Sequence, residues 1–296
     1  MTALLVDSED TAPGTSPVGA DSSRRSAREG FWISLIRQPG LVLSFAVLAL
    51  VVAWAIVPEV FSTHDPINGV PAQRLSPPSA EHWFGTDNLG RDTYARVVHG
   101  AALTLQATVV AVLVGIVVGA GVGLIAGFVR GRVEDWLMRI IEVMLAVPGL
   151  LLSLAVVTAL GFGTVNVAIA VGIANIASFA RVMRSETLKI SALPYIEASK
   201  ASGSHWSYTL FAHVLRNARG PVLALTALEF GTAILSVSAL SFLGFGAQPP
   251  TPEWGALVSD GRDYLASAWW MTTFPGLVIA IVVLSANRIA RFLENR

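Results

Sequence analysis

The chain has 296 residues, 53% hydrophobic and 14% charged, with a formal net charge of zero. Soluble domains carry about 25% charged residues, so the deficit points to a membrane protein. The neutral balance excludes nucleic acid as a bulk electrostatic partner, and a chain without cysteine has no disulfide, thiolate metal site or cysteine nucleophile.

The opening stretch is rich in Ser, Thr, Gly, Pro and acids, and residues 1–40 are expected to form a disordered cytoplasmic tail. The apolar run after Arg37 is too long for the h-region of a cleaved signal and reads as a signal anchor. A spanning helix needs about 20 mostly apolar residues. Residues 41–61 satisfy this, with Glu59 near the end. Residues 62–100 are polar, hold Pro66, Pro71, Pro77 and Pro78, and are expected to be extracytoplasmic. Further spans are expected over residues 101–129, 140–160 (interrupted by Pro148), 164–180, 221–245 and 269–287. The fourth is reached through the tight turn Gly161-Phe162-Gly163. The fold class is therefore all-α, a polytopic membrane protein with six transmembrane helices. Residues 101–288 form a five-helix core with a polar loop over 181–220, and 289–296 a short tail.

Six crossings put both termini on one side, and the distribution of Lys and Arg selects it. With the termini in the cytoplasm, only Arg74, Arg91, Arg96 and Arg262 of the 20 cationic residues lie outside. The polar loop 181–220 is then cytoplasmic. Trp269 and Trp270 open the last span, where interfacial aromatic residues are expected. In the second span Gly115, Gly119, Gly123 and Gly127 recur every four residues. This smooth stripe lets another backbone approach closely. Its partner is either a helix of this chain or a second subunit.

No catalytic set emerges. The histidines (His64, His82, His99, His205, His213) are scattered, and no phosphate-binding GxxxxGK[ST] occurs, so ATP is not hydrolysed by this chain. "TDNLGRD" at 86–92 resembles a calcium loop only faintly: Leu89 occupies a ligand position and no closing Glu follows, so no metal site is expected. Two acids fall within the apolar spans, where a charge costs roughly 2.5–3.5 kcal/mol on insertion scales and normally faces a bundle interior or an aqueous cavity. Glu142 has Arg139 at i−3 as a local partner. Glu229 has no charged neighbour one turn away and reads as a pathway or inter-helix residue. Asn166 and Asn175, on the fourth span, read as interhelical hydrogen-bonders. Glu229, Glu142 and Asn175 are the candidates for a translocation path. A paired nucleophile and base for an intramembrane enzyme cannot be assembled from these spans.

The cytoplasmic loop reads as two short helices. Pro194 suits the first turn of "LPYIEASKAS", and Gly203 suits its end. Ser204 can cap "HWSYTLFAHVL", whose Trp206, Leu210 and Leu215 fall near one face. A helix–glycine–helix elbow with little chemistry of its own is shaped to dock into a groove on another protein.

Glu197-Ala198-Ser199, Gly203 and the following "HVLRN" (213–217) resemble the EAA loop of type I ABC importer permeases. "HWFGTDNLGRDTYARVVHGA" (82–101), "LMRIIEVMLAVPGLLLSLAVV" (137–157) and "ALSFLGFGAQPPTPEWGALVSDGRDYL" (239–265) are similar to blocks of the peptide and nickel group, C-type subunit. The resemblance implies the type I ABC permease fold. Glu197, Ala198, Ser199, Gly203 and Asn217 would couple to the ATPase. It also implies a homologous second permease, two ABC ATPase subunits, an extracytoplasmic substrate-binding protein and a bilayer as partners. ATP and Mg would be bound by the ATPases, with no cofactor in this chain. The implied cargo is a dipeptide or oligopeptide, the alternative a nickel or metal chelate. The outer loop, stiffened by Pro249, Pro250 and Pro252, offers Gln248, Pro249, Pro252, Glu253, Trp254, Asp260 and Arg262 as contacts for the binding protein; the alternative is a passive membrane-edge loop.

The chain departs from the family pattern in places. Arg216 stands where Pro is usual, Ser199 where a third Ala is common, Ala102 where Arg is common and Val237 where an acid often sits. Glu229, eight residues before Val237, is expected to supply that acid. The rival class is an ion-coupled secondary transporter that uses Glu229 as its proton site.

Overall fold

The computed structural model describes residues 38–294. The tail expected over 1–40 lies, apart from its last three residues, outside the described residues. Residues up to Val42 separate from Leu43–Arg296; within that first unit, the Leu41 and Val42 amides donate to the Gln38 carbonyl at 2.8 and 3.3 Å.

Helix α1 covers Pro39–Ile56. It stops short of residue 61 because Val57, held by the following Pro58, leaves the helical region at φ −133° and ψ 61°. Helix α2 runs over Thr93–Val129. It begins eight residues earlier than hydropathy alone suggests, because Asp92 caps it: its Oδ1 accepts from the Ala95 amide at 2.6 Å. Its 37 residues extend about 55 Å, well past a hydrocarbon core of about 30 Å, so it is too long to lie wholly within the bilayer.

The third expected span is a bent pair. Helix α3 (Gly131–Ala146) and helix α4 (Gly149–Leu160) meet at 98°. Val147 is extended (φ −97°, ψ 130°) ahead of Pro148. With this pair as one crossing, the described residues hold six, five of them single helices. Gly161 (φ +90°) and Gly163 (φ +123°) then reverse the chain. Asn166 of the next helix reaches back across this turn to α4, as an interhelical hydrogen-bonder. Its amide donates to the Leu160, Gly161 and Phe162 carbonyls at 3.1, 3.3 and 3.2 Å, closing the end of α4.

Helix α5 covers Thr164–Ser191, eleven residues beyond the expected end. Met183, Thr187 and Ile190 continue its buried face at helical spacing. After helix α6 (Pro194–Ala201) comes helix α7 (Trp206–Phe242), with a wider π-helical turn at Thr209–Leu215. The second arm of the elbow is therefore no separate helix. Nor does Ser204 cap it: His205 does, its Nδ1 accepting from the Ser207 amide at 3.4 Å. Helix α8 covers Trp254–Gly261, and helix α9 covers Trp270–Glu294, so residues 289–294 belong to the last helix.

The glycine stripe has its partner in this chain. A Cβ at Gly119 or Gly123 would overlap the backbone carbonyls of Ile176 and Ala180. One at Gly115 would press on Asn175 and Phe179, and one at Gly127 on Thr187, 2.8 Å away. Helix α2 therefore lies directly on α5. Around this contact the buried core gathers Ala111, Val167, Val171, Phe179, Met183 and Leu240.

The segment between α1 and α2, expected to be extracytoplasmic, is an ion-paired cap. Asp87 accepts from the Leu89 and Arg91 amides at 2.8 and 3.0 Å, and from Arg91 Nε and Arg96 at 2.6 Å each. Burial opposes its ionisation. The hydrogen bonds from Arg91 and Leu89 and the charges of Arg91 and Arg96 outweigh it and hold the carboxyl below the usual range. Arg96 also reaches Asp260 of α8 at 3.7 Å, and Trp270 Nε1 donates to the Thr86 carbonyl at 3.1 Å. The "TDNLGRD" loop thus carries arginine partners in place of a cation and ties α2, α8 and the start of α9 together.

Candidate functional site

Helix α6 is short and fixed from beneath. Ile196 is fully buried in the same core as Ile190, Leu210, Val214 and Ala218. Burying such a side chain stabilises by about 1.5–3 kcal/mol. Tyr195 accepts a hydrogen bond from Asn217 Nδ2 at 3.0 Å, and the same amide donates to the His213 carbonyl at 2.7 Å. The Tyr195 ring also stands edge-on to His213. Together these contacts join α6 to the π-helical root of α7.

The helix ends as expected at Gly203 (φ +78°), with the Ser204 amide donating to the Ser199 carbonyl at 3.2 Å. Glu197, Ala198 and Gly203 are exposed, and Ser199 is half-buried. Leu193, Tyr195, Trp206, Tyr208 and Phe211 form an exposed apolar rim around them. An acidic, small-residue ridge edged by aromatic side chains is suited to a groove on a partner protein. Asn217 is exposed at the base of this unit, where it fixes the ridge through Tyr195. Tyr195 and Asn217 are 22 residues apart, and only the fold places them together.

The three path candidates lie on three different helices, Glu142 on α3, Asn175 on α5 and Glu229 on α7. Glu229 is half-buried on α7. Its Oε2 accepts from Thr232 at 3.1 Å, and it also bonds Ser178 of α5, which makes it an inter-helix contact. Val237 is fully buried in the core, and eight residues turn the helix by about 80°. Glu229 therefore does not occupy the surroundings of Val237. Asn175 lies against Gly115, its Nδ2 buried without a partner among the described residues.

Glu142 stands about three turns into α3, which begins at Gly131. It makes no ion pair with Arg139. The ion pair on this helix is instead Glu134 with Arg184 of α5, at 2.7 Å through Nε.

The outer loop also differs from expectation. Pro252, Glu253 and Trp254 are buried, so they are not surface contacts. Trp254 Nε1 donates to the Val97 carbonyl at 2.8 Å, and the Trp254 amide to Thr104 Oγ1 at 3.2 Å. Glu253 caps α8 by accepting from the Gly255 and Ala256 amides at 3.1 and 3.3 Å. Burial pushes its carboxyl up, against the hydrogen bonds from Ser241, Gly255, Ala256 and Thr104. Gln248, Pro249, Asp260 and Arg262 remain exposed.

Known proteins match this chain in sequence and in fold. Residues 119–296 match the family described as the binding-protein-dependent transport system inner membrane component. The chain belongs to that family. It is 40% identical over 225 residues to the dipeptide transport system permease protein DppC of Alkalihalophilus pseudofirmus, covering 76% of this chain and 74% of that one. It is 38% identical over 282 residues to the glutathione transport system permease protein GsiD of Pectobacterium atrosepticum, covering 95% and 94%. The fold is similar to that of a solved amino acid ABC transporter with histidines (TM-score 0.53, 17% identity, 69% of this chain and 94% of that one). As an inner membrane component of binding-protein-dependent transport, the chain is a permease that works within an ABC importer complex.

Proposed function

We propose that this permease forms half of a translocation path for short peptides and passes the ATPase stroke to that path through α6. The carrying observation is the fixation of α6: Ile196 and the Tyr195–Asn217 bond leave Glu197, Ala198 and Gly203 facing outward on a rigid mount. A push on this ridge reaches α7 directly, because only four residues separate α6 from α7. The relatives named for dipeptide and glutathione transport support a peptide cargo.

In this reading a homologous second permease supplies the other half of the path. Two ABC ATPase subunits bind ATP and Mg and seat on α6. A substrate-binding protein meets the outer face at Gln248, Pro249, Asp260 and Arg262. Glu229, with Ser178 and Thr232, is a polar joint between α5 and α7 within the spans.

The test is uptake of labelled di- to pentapeptides by proteoliposomes holding the complex with its binding protein. Peptide uptake that stops on ATP depletion supports the reading. Uptake that persists without ATP and is lost in Glu229→Gln would replace it with ion-coupled transport, and uptake of nickel alone would replace the cargo.

A further inference from the structure

Helix α3 carries three faces. Leu137, Met138, Ile141, Met144 and Leu145 turn inward and pack on Ala126 of α2 and on Ala177 and Ala180 of α5. Val133, Trp136, Ile140 and Val143 form a second face, apolar and exposed. Asp135, Arg139 and Glu142 form a third, charged and exposed. At 3.6 residues per turn the three faces point about 120° apart.

An exposed apolar face on a membrane helix meets lipid. Ionisable groups at bilayer depth face a bundle interior or a water-filled cavity. The inward direction is already occupied by the apolar packing face, so the charged face has a separate aqueous side. The alignment along α5 sets the depth. Glu134 pairs with Arg184, toward the cytoplasmic end of α5, whereas Ile141 packs near Ala177, two turns deeper. The charged face therefore climbs from the cytoplasmic surface into the membrane. A recess of about 470 Å³ runs beside it, lined by Asp135, Arg139, Glu142 and the Glu134–Arg184 pair, together with Trp136 and Met138. None of Asp135, Arg139 and Glu142 makes an ion pair with another described residue, so their charges are free for a ligand.

We propose that the Asp135–Arg139–Glu142 face lines the cytoplasmic mouth of the translocation path and handles the charged termini of zwitterionic cargo. Asp135 and Glu142 accept hydrogen bonds from an ammonium group, and Arg139 donates to a carboxylate. The assignment rests on the peptide-permease reading and adds to it which surface the leaving cargo touches.

The absence of native cysteine from the chain makes the test direct. Single variants Arg139→Cys, Glu142→Cys, Ile140→Cys and Val143→Cys are assembled into the full complex in membranes. They are exposed from the cytoplasmic side to a membrane-impermeant cationic thiosulfonate. Binding-protein-stimulated ATP turnover of the unmodified complex is recorded first; if it is missing, the peptide-permease reading fails by itself.

The expected result is rapid modification at 139 and 142 and little at 140 and 143, with a several-fold further loss of cargo-stimulated turnover on modification at 142, where the adduct reverses the charge, and partial recovery at 139, where it restores a cation. Glu142→Gln should lower uptake of a free dipeptide more than uptake of the same dipeptide with a blocked amino group. Modification of 139 and 142 in the chain alone but not in the complex would show the face covered by a partner subunit and overturn the proposal. Modification with unchanged turnover, or equal modification at all four positions, would overturn it as well.

Discussion

Arg96 of α2 bonds Asp87 at 2.6 Å and reaches Asp260 of α8 at 3.7 Å, so one buried guanidinium holds the extracytoplasmic cap to the outer helix that borders the proposed binding-protein face. Removing one partner of a buried pair strands the other charge and costs about 3–5 kcal/mol. Arg96→Met is expected to lower the thermal midpoint of the detergent-solubilised complex and to weaken binding-protein stimulation of ATP turnover. Arg262→Met, at an exposed outer pair with Asp263, should leave the midpoint unchanged.

The outer cap should show two opposite pH signatures. The Asp87 carboxyl is held low by its hydrogen bonds and two arginines. Its contribution is present above the unfolded aspartate value and is lost as pH falls through the depressed folded value. The Glu253 carboxyl is pushed up by burial. Its contribution is greatest below the unfolded glutamate value and is lost as pH rises through the folded value. Thermal midpoints measured from pH 3 to 8 should lose their acid-side slope in Asp87→Asn and their slope toward higher pH in Glu253→Gln. An unchanged profile in both variants would count against the buried cap.

The contact of α2 with α5 predicts a graded glycine series. Gly119→Ala and Gly123→Ala put a methyl onto backbone carbonyls that cannot swing aside, and overpacking of this kind costs about 1–3 kcal/mol. Gly121 has open space where its Cβ would be, and Gly121→Ala should stabilise slightly by helix propensity. Equal midpoints across the three variants would contradict the close approach.

The Tyr195–Asn217 bond predicts a positioning effect without a charge change. A hydrogen bond contributes about 0.5–1.5 kcal/mol, so Tyr195→Phe and Asn217→Ala should each lower the ratio of cargo-stimulated to unstimulated ATP turnover several-fold. The double variant should lose little more than either single one, because both remove the same contact. Additive losses would mean that the two residues act separately.

The spans themselves were legible, because long apolar runs report burial in lipid directly. Their ends were less so. The N-terminal extension of α2 depends on the Asp92 cap, and α5 runs on to Ser191 through residues charged enough to read as a loop. The repeat of Met183, Thr187 and Ile190 was a usable helical signal there. The glycine stripe showed that a backbone would approach. Gly172, Ala177 and Ala180 on α5, with the same small side chains, could have named the partner. Glu253 and Trp254 read as loop surface because their surroundings, Val97, Gly100 and Thr104, lie some 150 residues away in the chain. At the coupling ridge, the acidic and small residues were visible in sequence, whereas the fixation by Tyr195 and Asn217 arises only from the return of α7 beneath α6.

The central claim is that α6 transmits ATP turnover to a peptide path. The most direct measurement is ATP hydrolysis by the complex with its binding protein, with and without di- to pentapeptides, in the native chain and in Glu197→Arg. The account predicts peptide-stimulated turnover that collapses in the variant while the subunits still assemble. Stimulation that survives the charge reversal unchanged would contradict the coupling role, and the absence of any ATPase from the purified complex would contradict the importer reading itself.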